Sequence, residues 1–212
     1  MNKNDKFVIT INRELGSGGR TVGRILAEKL GVPYYDKAIQ KPLEEKFNMT
    51  LDEIERLKGN ERSWWQEIKR VLVLGEEAAN SLDYYDEENK DIVTSEAVLK
   101  AEKEILYSIA IEESCVIAGR SAFFALNGYP NSLNVLIQAP MEYRVNRVME
   151  KQGLSEKEAK KVIKEVDATR EEYLRNNANT SRYDTRNYDL VINMAGKTEE
   201  QAVKVILSYI ED

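Results

Sequence analysis

Ile9-Thr10-Ile11-Asn12-Arg13-Glu14-Leu15-Gly16-Ser17-Gly18-Gly19-Arg20-Thr21 runs from a β-branched strand through a glycine-rich turn and straight into a helix. That is the layout of a phosphate-binding loop. Closely spaced glycines let backbone N–H groups turn toward one anion, and the helix adds unpaired N–H groups and the positive end of its dipole. Gly16, Ser17, Gly18, Gly19, Arg20 and Thr21 are therefore the expected phosphate and ATP contacts, and the Thr21 hydroxyl falls where such loops place a magnesium ligand. The general pattern asks for Gly, four residues, then Gly-Lys-Ser/Thr. With Thr21 as its last position, Glu14 stands for the first glycine and Arg20 for the lysine. Guanidinium keeps a positive charge near the β- and γ-phosphates, as a planar fork instead of a point charge. The plainer alternative is a glycine-rich turn followed by a chance Arg-Thr.

The 212 residues, 42% apolar and 32% charged, can bury one substantial core, or one core with a small appendage, and exclude disorder and a collagen-like fibre. A net charge of −6 argues against non-specific binding to nucleic acid or a membrane surface, so an anion site must be built locally. The expected partners are small-molecule nucleotides, with the chain as a monomer or homodimer. Cys115, the one cysteine, lies in an apolar Cys-Val-Ile-Ala run that reads as a buried strand. Histidine is absent, which removes serine–histidine triads, cysteine–histidine dyads and histidine-bound zinc. No long apolar leader precedes the first strand and no apolar run reaches membrane-spanning length, so the expected location is cytoplasmic.

Around the loop, strand and helix patterns alternate. Residues 7–11, 32–35, 115–119, 133–138 and 188–194 read as strands separated by helical material, which favours parallel strands with crossover helices. The fold class is α/β: a five-stranded parallel sheet in a three-layer αβα sandwich. The expected core covers about 1–39, 109–151 and 188–212, with a helical insertion over about 40–108 and a lid arm over about 152–187. Thr50-Leu51-Asp52-Glu53, Ser155-Glu156-Lys157-Glu158 and Thr198-Glu199-Glu200-Gln201 read as helix caps, and Pro140 as the first turn of a helix through Lys151. Trp64-Trp65 in the insertion reads as packing.

In an open parallel sheet, ligands bind beyond the carboxyl ends of the strands. Asp36 follows the second strand, where it could accept hydrogen bonds from a sugar or base, or cap a helix. Arg120 follows the third, where it could grip a phosphate bidentately or make a surface ion pair. Arg144 and Arg147 are three apart on one helix, as are Asp167 and Arg170 on the next. Arg175, Arg182 and Arg186 crowd the arm that follows. Arginines at these places fit a lid that closes over transferring phosphates, or a solvated helix laced with pairs such as Glu171 and Arg175.

The stretches 10–20, Tyr34-Tyr35-Asp36, Val116-Ile117-Ala118-Gly119-Arg120 and Tyr188-Asp189-Leu190-Val191-Ile192-Asn193 together resemble the cytidylate kinase-like family, in motif order and over nearly the whole chain. The resemblance implies a nucleoside-monophosphate-kinase fold with a phosphate-loop core, an NMP-binding insertion and a lid. It implies ATP as phosphoryl donor with Mg2+, and CMP contacts from Asp36, Arg120, Asp167 and Arg170. Arg144 and Arg147 match the helix before the lid, and the expected catalytic cations are Arg20, Arg144, Arg147 and Arg170. The departures are Arg20 for the lysine, Glu14 for the first glycine, and Ser121 where an aspartate is common; Arg20-type loops and the Arg13-Glu14 pair look typical of this branch.

Three readings follow. The first is γ-phosphoryl transfer from ATP to CMP or a related nucleoside monophosphate, chemistry that needs positioning and charge neutralisation and no histidine. The second is a non-catalytic nucleotide- or anion-binding module, in which a paired Glu14–Arg20 removes the charge that catalysis needs. The third keeps phosphoryl transfer and changes the acceptor.

Overall fold

Strand β1 (Val8–Arg13) forms because its residues suit a strand buried on both faces: Val8, Ile9, Thr10 and Ile11 are all fully buried. The computed structural model describes residues 1–36, 40–50, 54, 95–119 and 122–211. After β1 come α1 (Gly19–Leu30), β2 (Tyr34–Asp36), α2 (Gln40–Phe47), α3 (Ser95–Glu112), β3 (Cys115–Ala118), the short α4 (Ala122–Ala125) and β4 (Ser132–Gln138). Then follow α5 (Met141–Gln152), α6 (Glu156–Ala178), a 3-10 turn (Thr185–Asn187), β5 (Leu190–Asn193) and α7 (Glu199–Glu211).

The strands make one parallel sheet in the order β2-β3-β1-β4-β5. Alternation along β1 sends Ile9 and Ile11 to one face, against Val22 and Leu26 of α1 and Ala202, Val203 and Ile206 of α7. Val8 turns to the other face, with Leu43, Val98, Ala101 and Leu106. Helices on both faces of a parallel sheet give the three-layer αβα sandwich expected from the sequence. Cys115 lies in the second core, where burial pushes its thiol up to about 12, as befits a packing residue.

The strand ends shift by up to two residues from the sequence reading, and two of these shifts bear on the site. β1 continues past Ile11 to Arg13, because Asn12 and Arg13 stay in register with Leu136 and Ile137 of β4 and so remain in the ladder despite their polarity. Conversely, β5 spans only Leu190–Asn193, and Tyr188 serves as a brace: its hydroxyl donates to Arg182 O at 2.8 Å, accepts from Asn12 Nδ2, and its ring meets Phe123 at 5.0 Å. The first of these differences sets the position of the Arg13 side chain. Trp64-Trp65, the full 50–53 cap and most of the 40–108 insertion lie outside the described residues. The described ends of that insertion, α2 and α3, pack on the sheet and are tied by Lys46 and Glu104 at 2.9 Å.

The segment expected as a lid arm is mostly α6, a 23-residue helix. Val145 and Val148 of α5 and Ala159 and Ile163 of α6 form a small core of their own, which docks the arm on the body. Its start is the expected capping box: the Ser155 hydroxyl accepts from the Glu158 N–H, and the Ser155 N–H donates to Glu158 Oε2 at 2.9 Å. Ser155→Ala should therefore lower stability by about 1 kcal/mol, read from the midpoint of urea unfolding. An unchanged midpoint would mean that the docked middle of α6 fixes the helix start without its cap. No helix among the described residues is long and apolar enough to cross a membrane.

Candidate active site

Gly16 and Gly18 both take positive φ, 82° and 89°, and Gly18 is the N-cap of α1. Glycine meets that backbone demand without strain. Among the described residues, the N–H groups of Gly16, Gly18, Gly19 and Arg20 reach no protein acceptor. Such groups at a helix start form an anion cradle. The loop's beginning is fixed: Glu14 N–H extends the β1–β4 ladder to Ile137 O at 3.1 Å, and the buried Ser17 hydroxyl donates to Glu14 O at 2.9 Å. The Ser17 N–H also donates to Glu14 O, at 3.3 Å, so Ser17, expected as a phosphate contact, braces the turn from inside and does not line the cleft.

Glu14 does not pair with Arg20. Its Oε2 accepts from the Ala139 N–H at 2.9 Å, and its Oε1 lies 3.7 Å from Arg144 Nη1. The reason is the longer β1, which delivers Glu14 beside the end of β4, whereas Arg20 in the first turn of α1 faces the end of β2. There Arg20 Nε meets Asp36 Oδ2 at 2.6 Å, and Arg13 Nη2 meets Asp36 Oδ1 at 3.2 Å. Asp36 is therefore a clamp for two guanidinium groups.

Beneath the loop lies a buried network. Asp167 accepts from Arg144 Nη1, from Arg182 Nη1 at 3.3 Å and from the Leu15 N–H at 3.1 Å. Arg182, fully buried, also donates to the carbonyl of Arg13. Two expectations change here. Arg144 and Asp167, expected as a catalytic cation and an acceptor contact, are 6% and 7% exposed and support the loop from below instead of lining the cleft. Their side chains pair with one another because α5 and α6 pack face to face.

Arg147 and Arg170 do face the cleft, together with Lys151, Arg13, Arg20 and Thr21. Arg147 is steadied by Glu199 at 2.7 Å and by the Tyr143 ring at 5.6 Å. Arg170 donates to Arg13 O at 3.3 Å. Burial, then the nearby Arg13 and Arg182, push the Arg170 pKa well below its ordinary value. A guanidinium stays charged in proteins, so the crowding stores an electrostatic cost that an incoming anion relieves. Six guanidinium groups here (Arg13, Arg20, Arg144, Arg147, Arg170 and Arg182) meet four carboxylates (Glu14, Asp36, Asp167 and Glu199). The surplus is positive in a chain that is negative overall.

Thr21 is the hydroxyl of the cleft wall on α1. Among the described residues no group of three or more His, Cys, Asp or Glu could hold a metal. That donor set suits Mg2+ carried in by nucleotide phosphates and touched by one protein oxygen, which is how this ion commonly binds. Arg120 and Ser121 lie outside the described residues. Sequence reasoning missed Arg13, Lys151 and Glu199 as site residues. Arg13 had a usable signal, since it ends the strand that enters the glycine turn; Glu199 was hidden in a capping sequence.

The cytidylate kinase-like family profile matches residues 8–196. A uronate isomerase from Corynebacterium glutamicum is 35% identical over 98 residues, 46% of this chain, and the match spans only 19% of that protein's length. The structure is similar to that of an uncharacterized protein from Eubacterium ventriosum, with a TM-score of 0.69 at 24% identity over 98% of this chain and 99% of that one. It is also similar to a sugar kinase from Janibacter sp. (0.54, 14% identity, 98% and 95% covered) and to shikimate kinase from Bacteroides thetaiotaomicron (0.50, 16%, 97% and 99%). At these identities the structural likenesses speak for a shared fold.

Proposed function

This chain belongs to the cytidylate kinase-like family, and from that premise we propose that it transfers the γ-phosphoryl group of ATP to CMP or a related nucleoside monophosphate. The observation that carries the reading is the cleft itself, with a glycine cradle on one wall and Arg147, Lys151 and Arg170 on the other. Phosphoryl transfer asks little covalent chemistry of a protein; it asks for in-line positioning and for charge at the equatorial oxygens. An acceptor phosphate oxygen attacks the γ-phosphorus, the bond to the β-bridging oxygen breaks, and ADP leaves with the nucleoside diphosphate. In this arrangement the N–H groups of Gly16, Gly18, Gly19 and Arg20 bind the donor phosphates, and Arg147 and Arg170 offset charge on the transferred group. Asp36 fixes the guanidinium groups of Arg13 and Arg20 at the end of β2. The Thr21 hydroxyl would help to hold Mg2+, which would supply neutralisation of charge on the donor phosphates.

The reading of Glu14 as a charge that silences the loop loses its basis, because Glu14 is engaged by Ala139 and Arg144. The test is a panel of CMP, dCMP, UMP, AMP, shikimate and hexoses with the purified chain, ATP and Mg2+, followed by phosphorus NMR. A nucleoside diphosphate as the preferred product is the expected result. Preferred transfer to shikimate or a sugar would replace the acceptor class, and ATP binding without transfer to any of them would overturn the kinase reading for this panel.

A further inference from the structure

The loop lysine of the general pattern has no counterpart at the first residue of α1, which is Gly19. The structure gives a steric reason. A Cβ on Gly19 would lie 2.6 Å from Arg13 Cβ and 3.1 Å from Ile137 Cβ. Approaches under about 3 Å are not tolerated in packed interiors, so positions 13 and 19 cannot both carry side chains. With Gly18 as the last loop glycine, the general pattern falls on positions 13, 18, 19 and 20, where it asks for Gly, Gly, Lys and Ser/Thr. The chain has Arg, Gly, Gly and Arg, so the register that sets Glu14 and Arg20 at the glycine and lysine places is one residue off, and Thr21 lies one residue past the place of the pattern's hydroxyl. The side chain and its charge have exchanged places between the end of the strand and the start of the helix.

Building on the phosphoryl-transfer reading, we infer that Arg13, delivered from the end of β1, replaces the loop lysine as the cation that binds the donor's terminal phosphates. Arg13 lines the cleft, and its side chain is 13% exposed. Asp36 aims it at 3.2 Å, and Gly119 makes room for it: a Cβ there would collide with Arg13 Nη1. Its backbone carbonyl is held in turn by Arg170 and Arg182. Arg13 therefore sits between the ends of β1, β2 and β3, where donor and acceptor phosphates meet in an open parallel sheet.

Arg20 is the competing candidate, and exposure decides between them. The Arg20 side chain is 55% exposed. A wet charge is screened, whereas a preorganised charge in a water-poor site acts at close to full strength. Asp36, shared by both, holds Arg20 at the rim and Arg13 inside.

The experiment measures MgATP affinity by calorimetry for the natural chain, Arg13→Gly, Arg20→Ala and Arg13→Gly/Gly19→Lys, with thermal unfolding of each. Arg13→Gly should weaken binding roughly tenfold or more, as loss of a charge-assisted phosphate contact does, and Arg20→Ala by a smaller factor. The double variant moves the cation to the helix and removes two of the three nearest obstacles, so that the third, Ile137 Cβ, has to give by a few tenths of an ångström. It should recover most of the affinity lost by Arg13→Gly. An Arg20→Ala loss equal to or larger than that of Arg13→Gly, or no recovery in the double variant while it unfolds cooperatively, overturns the inference. If the single variant does not fold, Arg13→Lys takes its place. Retained charge should then keep affinity within about threefold of the natural chain, and a larger loss than Arg20→Ala causes counts against the inference. The two readings separate cleanly: affinity that depends on Arg13 without transfer to any nucleotide removes the proposed function and leaves this inference, whereas CMP phosphorylation that follows Arg20 does the reverse.

Discussion

Asp167→Ala is expected to destabilise the protein by about 3–5 kcal/mol, the cost of removing one partner from a buried ion pair. The carboxylate faces two buried arginines, Arg144 and Arg182, and also accepts the Leu15 N–H. Its loss leaves Arg182 without a counter-charge and Arg144 with only Glu14, at 3.7 Å, in a volume where the Nε atoms of both already lack a partner. A buried donor without an acceptor carries the full desolvation cost. Most domains are stable by only about 5–15 kcal/mol, so this single change consumes a large part of the margin. Urea unfolding of Asp167→Ala beside Asp167→Asn measures it. Asparagine keeps one acceptor oxygen and should fall between the natural chain and alanine. If alanine costs less than about 1 kcal/mol, the network is a crowd of individually hydrated charges, and Asp167 does not anchor it.

That prediction depends on a distinction the sequence could not supply. The glycine turn, the alternation of strand and helix, and the caps at Ser155 and Thr198 are local signals, so the parallel αβα sandwich was legible from residue order alone. The roles of Arg144, Arg147, Arg170 and Arg182 were not. All four are arginines on or after amphipathic helices, and helical spacing gives a face without saying what covers it. Packing of α6 on α5 put Arg144 and Arg182 underneath the loop, while Arg147 and Arg170, three residues away from Arg144 and Asp167 respectively, emerged into the cleft. Likewise, the polar pair Asn12-Arg13 reads as the end of a strand, yet the ladder with β4 continues through both. Two extra residues of strand swing Glu14 toward Ala139 and leave Arg13 facing Asp36. Long-range pairing, invisible in a single stretch of sequence, thereby decided which charges meet.

Gly16→Ala should abolish most of the activity, lowering kcat/KM for ATP by roughly a hundredfold, the scale seen when positioned backbone donors are lost. Two effects coincide at this position. The φ of 82° is one an alanine adopts only under strain, costing about 1–3 kcal/mol. In addition, the new Cβ would lie 2.7 Å from the backbone carbonyl oxygen of Arg144 and 3.0 Å from its Cβ. That obstacle cannot yield, because Arg144 is held by Asp167 and its N–H is bonded to Pro140 O at 3.1 Å. The loop must move instead, taking its N–H groups away from the phosphates. Gly18 provides the control. Its φ of 89° imposes the same backbone strain, but its nearest obstacles are the tips of Glu199 at 3.3 Å and Arg147 at 3.4 Å, which can swing aside. Gly18→Ala should therefore lose less activity than Gly16→Ala while losing comparable stability. Equal losses in both variants would assign the effect to φ alone, and natural ATP affinity in Gly16→Ala would remove this turn from the phosphate site.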